Sequence, residues 1–590
     1  MTFLRELLAV ILGIFISLFI MFAVFAIAVS ALSSSFSSEE IVEVKDNSIL
    51  TLELDEAIKD YAPKSDDPFA MIFNFQEEKI GLNEMMNAIE NAKTDDRIKG
   101  ISIEAMDINA GISQLQSLRN KLLEFKETGK FVYAFADMYT QRNYYLSSVA
   151  DSLFINPVGG VDFKGLSSEM YYFKDFQDKY GVKMEVIRHG KYKSAVEPFL
   201  SSTMSAENRE QTASFLNSIW AELISDIGFS KSKSNEELNK IADSLLARNP
   251  ELAVANGMVH ASVYKDQYRN KLKGLVGVQN LDDVNYLTLS DYISSGKGRI
   301  KSSAKDRIAV IYAQGEIIYG EGDEGTIGQD LIVTALKKAR KNPDVKAIVL
   351  RINSPGGSGL ASDIMWRELE ITGDQLPLVV SMGDVAASGG YYMACNADKI
   401  FAEPTTITGS IGVFGILPNI SEFAGRIGIN AEQVGTNYQS TGYSLFEPIP
   451  SKFYNNVQMD IEDFYKTFVQ KVADGRKMTF AQVDSVAQGR VWTGKQAKEI
   501  GLVDELGSLE DAIAAAADLA DLTEYQVRNY PDYDMDLKHI FKGSNFISSK
   551  KEAVIKAELG KDNYQMYKNL KQISEWQGIQ ARIPFIFEIK

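Results

Sequence analysis

Asp96-Arg97-Ile98-Lys99-Gly100-Ile101-Ser102-Ile103 and Pro343-Asp344-Val345-Lys346-Ala347-Ile348-Val349-Leu350 share one pattern, 247 positions apart. The same offset carries Asp137 to Asp384, Tyr144-Tyr145 to Tyr391-Tyr392, Asp151 to Asp398, Pro157 to Pro404 and Gly181 to Gly428. About 90 residues therefore align without a gap, the signature of an internal repeat. Farther on, Ala255-Asn256-Gly257-Met258-Val259 answers Glu499-Ile500-Gly501-Leu502-Val503 at an offset of 244. The chain reads as two copies of one unit, 46–295 and 305–540, joined through the polar stretch Ser294–Lys305. Within a copy, short β-branched runs (Ile308–Tyr312, Ala347–Ile352, Leu378–Ser381) alternate with amphipathic stretches of helical period (Asp330–Asn342, Leu360–Thr372). That alternation predicts an α/β fold whose parallel strands are covered on both faces.

Composition sets the outer limits. At 590 residues the chain is too long for one core, and 45% apolar with 24% charged residues excludes disorder throughout. Lys and Arg number 62 against 79 Asp and Glu, a net charge of −17. Phosphate backbones repel such a chain, so nucleic-acid binding is not expected. The single cysteine, Cys395, cannot close an intrachain disulfide, and His189, His260 and His539 are scattered. No zinc pattern exists, so the chemistry falls to hydroxyls, amines, carboxylates and backbone dipoles. Gly489-x-x-x-x-Gly494-Lys495 imitates a phosphate loop, but Gln496 stands where a Mg²⁺-holding hydroxyl is needed.

Leu7–Leu32 carries no charge and only two polar residues, Ser17 and Ser30. As a helix it would run about 39 Å, enough for a bilayer and too long for a cleaved secretory signal. The expectation is a transmembrane anchor at 7–32, a cytoplasmic start at 1–6 and an extracytoplasmic body, since Arg5 precedes the span and Glu39 and Glu40 follow it. The Lys-rich tail, 541–590, reads as helical, with Ile583–Ile589 as an edge strand and no chemistry of its own.

Two glycine-rich turns in the second copy each follow a strand and precede a helix: Asn353-Ser354-Pro355-Gly356-Gly357-Ser358-Gly359 and Asp384-Val385-Ala386-Ala387-Ser388-Gly389-Gly390. A hydroxyl in a small-residue elbow is exposed to a substrate carbonyl, and a second such turn can supply N–H donors to an oxyanion. The first copy has Gln141-Arg142 and Ile108-Asn109-Ala110 at these places. A purely structural need for the turns would have preserved them in both copies, so the second copy is expected to hold the nucleophile. The base could be a histidine, with His189 the foremost, or Lys191 or Lys193 in Arg188-His189-Gly190-Lys191-Tyr192-Lys193-Ser194-Ala195. A solvated lysine is only about 0.04% neutral at pH 7, so a lysine base must be buried.

Lys193 in Tyr192-Lys193-Ser194-Ala195-Val196-Glu197-Pro198-Phe199 and Ser388 in Ala387-Ser388-Gly389-Gly390-Tyr391-Tyr392 belong to a larger set of motifs. With Asn353–Ser358, Gly409-Ser410-Ile411-Gly412-Val413, Gly489–Gly494 and Gly501-Leu502-Val503-Asp504, the sequence resembles the long form of the signal peptide peptidase A family over nearly everything past residue 45. The resemblance implies two tandem ClpP/crotonase-like domains after the anchor. It also implies a Ser/Lys dyad with Ser388 as nucleophile and Lys193 as general base, one from each repeat, and no metal or nucleotide. Gly389, Gly356 and Gly357 would form the oxyanion hole, and Ser410 would orient the lysine. It further implies a homotetramer in a bacterial inner membrane, single-pass, with its catalytic domains on the periplasmic side. Its substrates would be released signal peptides and other apolar peptides, cut near small residues. Spacing agrees with the dyad: Gln141 to Lys193 and Ser388 to Ser440 both span 52 positions, so each copy keeps one member of a pair. The expectation is a membrane-anchored serine endopeptidase. A non-catalytic membrane scaffold, or a hydrolase of this fold acting on another membrane-associated substrate, is the alternative. Tyr391 and Tyr392, kept in both copies, are expected in the core.

Overall fold

The computed structural model describes residues 12–21, 24, 42–63, 80–533, 560, 564 and 579–583. In the first repeat, a six-stranded sheet has the spatial order Ala261–Ser262, Ser152–Ile155, Phe131–Ala136, Ile98–Ile103, Ser48–Leu52, Asn285–Thr288, and every neighbouring pair is parallel. Successive side chains of a strand point to opposite faces, and both faces are covered. Leu50 and Leu52 join Ile89, Leu118 and Leu122 of the helices Leu82–Thr94 and Ile112–Glu127. Ile49 joins Tyr268 and Leu272 of the helix Lys265–Val276 on the other side.

The second repeat follows the same plan. Gln526–Tyr530, Arg307–Gln314, Val345–Ser354 and Leu378–Ala387 lie side by side, all parallel. Ala309 and Ile311 pack with Ile332 and Leu336 of the helix Gln329–Lys341, while Ile308 and Val310 pack with Ala512 and Ala516 of Leu509–Leu519. Each of the fully buried Val, Leu and Ile side chains among these contributes about 1.5–3 kcal/mol. The paired tyrosines are buried in both copies, and their partners correspond. Tyr144 Oη donates to Met258 O at 2.9 Å, and Tyr391 Oη to Leu502 O at 2.8 Å.

A third, seven-stranded sheet belongs to neither repeat alone. Its order is Gly322–Asp323, Thr326–Gly328, Glu316–Ile318, Gly356–Ser358, Gln580–Arg582, Val413–Asn419, Lys183–His189. The last pair is antiparallel in unbroken register, from Val413 opposite His189 to Asn419 opposite Lys183. This pairing, between residues more than 200 positions apart, delivers the end of one first-repeat strand to the turn region of the second repeat.

One expectation is corrected. Among the described residues no helix is long and apolar enough to cross a membrane. Helix is described over 12–21, about 15 Å long against a hydrocarbon core of about 30 Å. The rest of 7–32 lies outside the described residues. The transmembrane anchor, the membrane attachment it implied and the single-pass inner-membrane location therefore do not stand. The edge strand expected at Ile583–Ile589 and His539 lie outside the described residues, Ile583 excepted, and Gln580–Arg582 just before it is an interior strand flanked on both sides.

Candidate active site

Ser388 sits between the strand Leu378–Ala387 and the short helix Gly389–Ala394, at φ 54° and ψ −112°. A non-glycine residue there stores about 1–3 kcal/mol of strain, maintained only where its surroundings over-determine it. Here the Ser388 N–H donates to Gly409 O at 2.8 Å, and Ser388 O accepts from the Tyr392 N–H at 2.8 Å. Gly389 opens the helix, so its N–H has no acceptor within the helix. At the aligned place in the first copy, Gln141 simply begins a helix capped by Thr140 and reaches Gly165 O at 3.0 Å.

Lys193 lies just beyond the strand Lys183–His189 and is fully buried. Its Nζ is 2.9 Å from Ser388 Oγ, 3.1 Å from Ser410 O and 3.0 Å from Ser410 Oγ. Burial lowers its pKa well below the ordinary lysine value. A neutral amine has two N–H donors and one lone pair. Ser410 O and Oγ take the two donors, and the lone pair is left for the Ser388 hydroxyl. Ser410 Oγ in turn donates to Gly489 O at 3.3 Å.

The loop that carries Lys193 is clamped by the second repeat. The Tyr192 N–H donates to Gln488 O at 3.0 Å. Gln211 Nε2 donates to Tyr192 O at 3.1 Å and Ser194 Oγ at 2.7 Å, while its Oε1 accepts from the Val491 N–H at 3.4 Å. Gly489, at φ 80°, lies so close that a Cβ there would come within 2.6 Å of Lys193 Cβ. Sequence reasoning found Gly489 only as part of a motif and missed Gln211 altogether. A lone glutamine on a helix, 18 residues from the lysine, carries no local signal of its role.

The other candidate bases are elsewhere. His189 Nδ1 is 2.9 Å from Glu462 Oε2, and its ring stacks on Tyr465 at 3.8 Å. Lys191 is exposed, its Nζ 5.1 Å from the centre of the Tyr192 ring. His260 Nδ1 accepts from the Leu153 N–H inside the first repeat. Ser440, which occupies Lys193's place in the second copy, is exposed. The glycine turn does lie beside the serine: a Cβ on Gly356 would be 2.9 Å from Gly389 N. The Gly356 N–H, however, donates to Ser354 Oγ at 3.1 Å.

A buried serine hydroxyl facing a desolvated lysine amine, beside glycine N–H groups, is equipped for acyl transfer. The model of peptidase family S49 matches the sequence twice, over residues 124–279 and 370–523. Protease 4 of Haemophilus influenzae is 37% identical over 454 residues, covering 75% of this chain and 73% of its own. The chain belongs to peptidase family S49. A second S49-like relative, the chloroplastic serine protease SPPA of Arabidopsis thaliana, is 30% identical over 75% of this chain and 66% of its own. The S49 match, falling once on each copy, accords with the long, duplicated form, and the protein is a serine peptidase that hydrolyses peptide bonds. A ClpP1 mutant from Listeria monocytogenes covers 35% of this chain and 94% of its own at 15% identity, with a TM-score of 0.24. The S49 chain is therefore described as α/β from its own sheets rather than as ClpP- or crotonase-like.

Proposed function

We propose that the two repeats, 46–295 and 305–540, build one endopeptidase centre, with Ser388 as nucleophile and Lys193 as general base. The observation that carries this reading is the 2.9 Å approach of Lys193 Nζ to Ser388 Oγ, with both side chains fully buried. Neutral Lys193 takes the hydroxyl proton as Ser388 Oγ attacks the peptide carbonyl. The N–H groups of Gly389 and of the Gly356–Gly357 turn receive the developing oxyanion. The lysine ammonium then protonates the leaving amine, and the neutral amine formed activates the water that hydrolyses the ester. Ser410, through its carbonyl and hydroxyl, keeps the lone pair of Nζ turned toward Ser388. Extended apolar peptides are the substrate class, and released signal peptides, which the resemblance implies, are the first to test.

The test is hydrolysis of a signal-like apolar peptide by the full chain, compared across Ser388→Ala, Lys193→Met and His189→Ala. Loss of at least about 10²–10⁴-fold in the first two, with His189→Ala near wild type, is expected. Activity retained in Lys193→Met and lost in His189→Ala would replace this reading with a serine–histidine site.

A further inference from the structure

The long helix Ser451–Arg476 of the second repeat buries one face, made by Ile461, Tyr465, Phe468, Val469, Val472 and Ala473. Among these only Tyr465 brings a polar atom. Its Oη donates to Asp484 Oδ1 at 2.5 Å and accepts from the Gln488 N–H at 3.4 Å and from Gln488 Nε2 at 3.1 Å. A phenol has one proton to give and two lone pairs to fill, so the three contacts use its whole capacity. Gln488 Nε2 also donates to the same Asp484 Oδ1 at 2.7 Å, which closes the three residues into a ring. Burial, and next the Asp484 carboxylate, raise the pKa of Tyr465, so the phenol keeps the proton that Asp484 accepts.

This ring holds a strained turn. Gln488 and Gly489 both lie in the left-handed region, at φ 55° and 80°. A glutamine stays there only where its surroundings fix it. The two residues touch both sides of the lysine. Gln488 O takes the Tyr192 N–H of the lysine loop, while the Gly489 N–H donates to Ile411 O at 2.8 Å and Gly489 O accepts from Ser410 Oγ. A Cβ on Gly412 would come within 2.8 Å of Gly489 Cα and 3.3 Å of Lys193 Cδ, so the lysine stem and the turn share one narrow space. The Tyr465 ring carries the stack of His189, four residues before Lys193. One side chain thus bears on the turn and on the loop that together enclose the amine.

We propose that Tyr465 is a positioning residue for the site: its hydroxyl, oriented by Asp484, fixes the Gln488–Gly489 turn and through that turn the place of Lys193 Nζ beside Ser388 Oγ. This rests on the Ser388/Lys193 reading above. Proton transfer depends steeply on the distance between the two groups, so a turn that relaxes and releases the lysine stem slows the chemical step. Tyr465 lies behind the lysine and acts only through it, so substrate binding is left as it was. Removal of the hydroxyl takes from Gln488 the acceptor of its N–H and from Asp484 its donor. Asparagine at 484 keeps the Oδ1 that accepts from both Tyr465 and Gln488, so position is preserved there without charge.

Steady-state kinetics of the full chain on a signal-like apolar peptide, run as a pH series beside thermal unfolding, tests this. Tyr465→Phe keeps the ring and its stack on His189 and removes only the hydroxyl. It should lower kcat at least about tenfold and leave KM within about twofold. The midpoint of kcat/KM against pH should move up, because a lysine released from its dry pocket regains the ordinary amine pKa. Asp484→Ala should do the same, the double variant should be no worse than either single one, and Asp484→Asn should restore most of kcat. Tyr465→Phe with the kcat and pH midpoint of wild type, or with kcat lost only in step with melting temperature and the midpoint unmoved, overturns the proposal and leaves the Ser/Lys reading intact. So does Asp484→Asn as slow as Asp484→Ala. Lys193→Met, measured alongside, separates the two readings: if it still hydrolyses the peptide, both fall.

Discussion

At Lys193 burial works against charge, and among the described residues no carboxylate offsets it. An amine whose pKa is lowered by folding holds its proton less tightly in the folded than in the unfolded chain. At pH 7 this subtracts from stability, and the loss is removed only as pH rises through the unfolded value of about 10.4. Two outcomes follow for this one side chain. In a pH series, kcat/KM should rise through the lowered pKa of Lys193 and level off above it, since only the neutral amine can take the serine proton. Lys193→Met, which fills similar space without an amine, should abolish turnover yet unfold at pH 7 at a temperature no lower than wild type. A clear fall in melting temperature for this variant would mean that the lysine is held by interactions with its charged form.

Elements of structure bring the reacting groups together and leave little room for change. The turn at Gly489 packs its backbone directly against Lys193, with a φ that side chains seldom adopt. Gly489→Ala should therefore displace the lysine. Activity should fall by at least about 10²-fold while stability drops by only about 1–3 kcal/mol, measured by steady-state kinetics beside denaturant unfolding. A second element contact joins the repeats. Asp384 Oδ1, from the second, accepts from the N–H groups of Ser113 and Gln114 at 2.9 and 3.2 Å, at the start of the helix Ile112–Glu127 in the first. Removal of its carboxyl from water, with Asp60 nearby, pushes Asp384 up to about 6. An acid raised on folding binds its proton more tightly in the folded state, so its contribution is present below about pH 4 and is lost as pH rises through about 6. Asp384→Asn should flatten the fall of melting temperature between pH 4 and pH 7, and an unchanged slope would remove Asp384 from that dependence.

Over the whole molecule, the two repeats act as one unit because their interface is built around groups that cannot be left unpaired. Arg351 Nε donates to Asp60 Oδ2 at 2.9 Å, with both side chains 2% exposed. The same guanidinium donates to Ser381 Oγ and Met382 O, each at 2.8 Å. Arg351→Met alone leaves the Asp60 carboxylate without its counter-charge in a dry interface and should cost about 3–5 kcal/mol of stability. The double variant Asp60→Leu, Arg351→Met removes both charges and should recover most of that loss. A single variant as stable as wild type would show that water reaches this interface. The seven-stranded sheet has the same consequence for function. Strands from both repeats and from the tail converge on one serine, so shifting any of them moves the reacting atoms.

What the sequence determined by itself was whatever neighbouring residues encode. Short β-branched runs and stretches of 3.6-residue period marked the strands and helices, and their repetition at a fixed offset marked the duplication. The Ser388 elbow was legible because small residues must surround a hydroxyl that a substrate carbonyl is to reach. Lys193 became legible only through the complementary loss of one partner from each copy and the resemblance of the surrounding motifs. Other features depend on contacts between residues far apart, which no window of the chain contains. The pairing of Lys183–His189 with Val413–Asn419, the hold of Gln211 on the lysine loop and the closeness of Gly489 to Lys193 are of this kind. So is the placing of Ala581 against Gly356 and Gly389. Apolar length alone suggested an anchor at 7–32, but length and hydropathy give only the capacity to form a spanning helix, and the described helix there covers ten residues. Tertiary structure decided these points because backbone pairing and desolvation act through space, between groups that sequence order keeps apart.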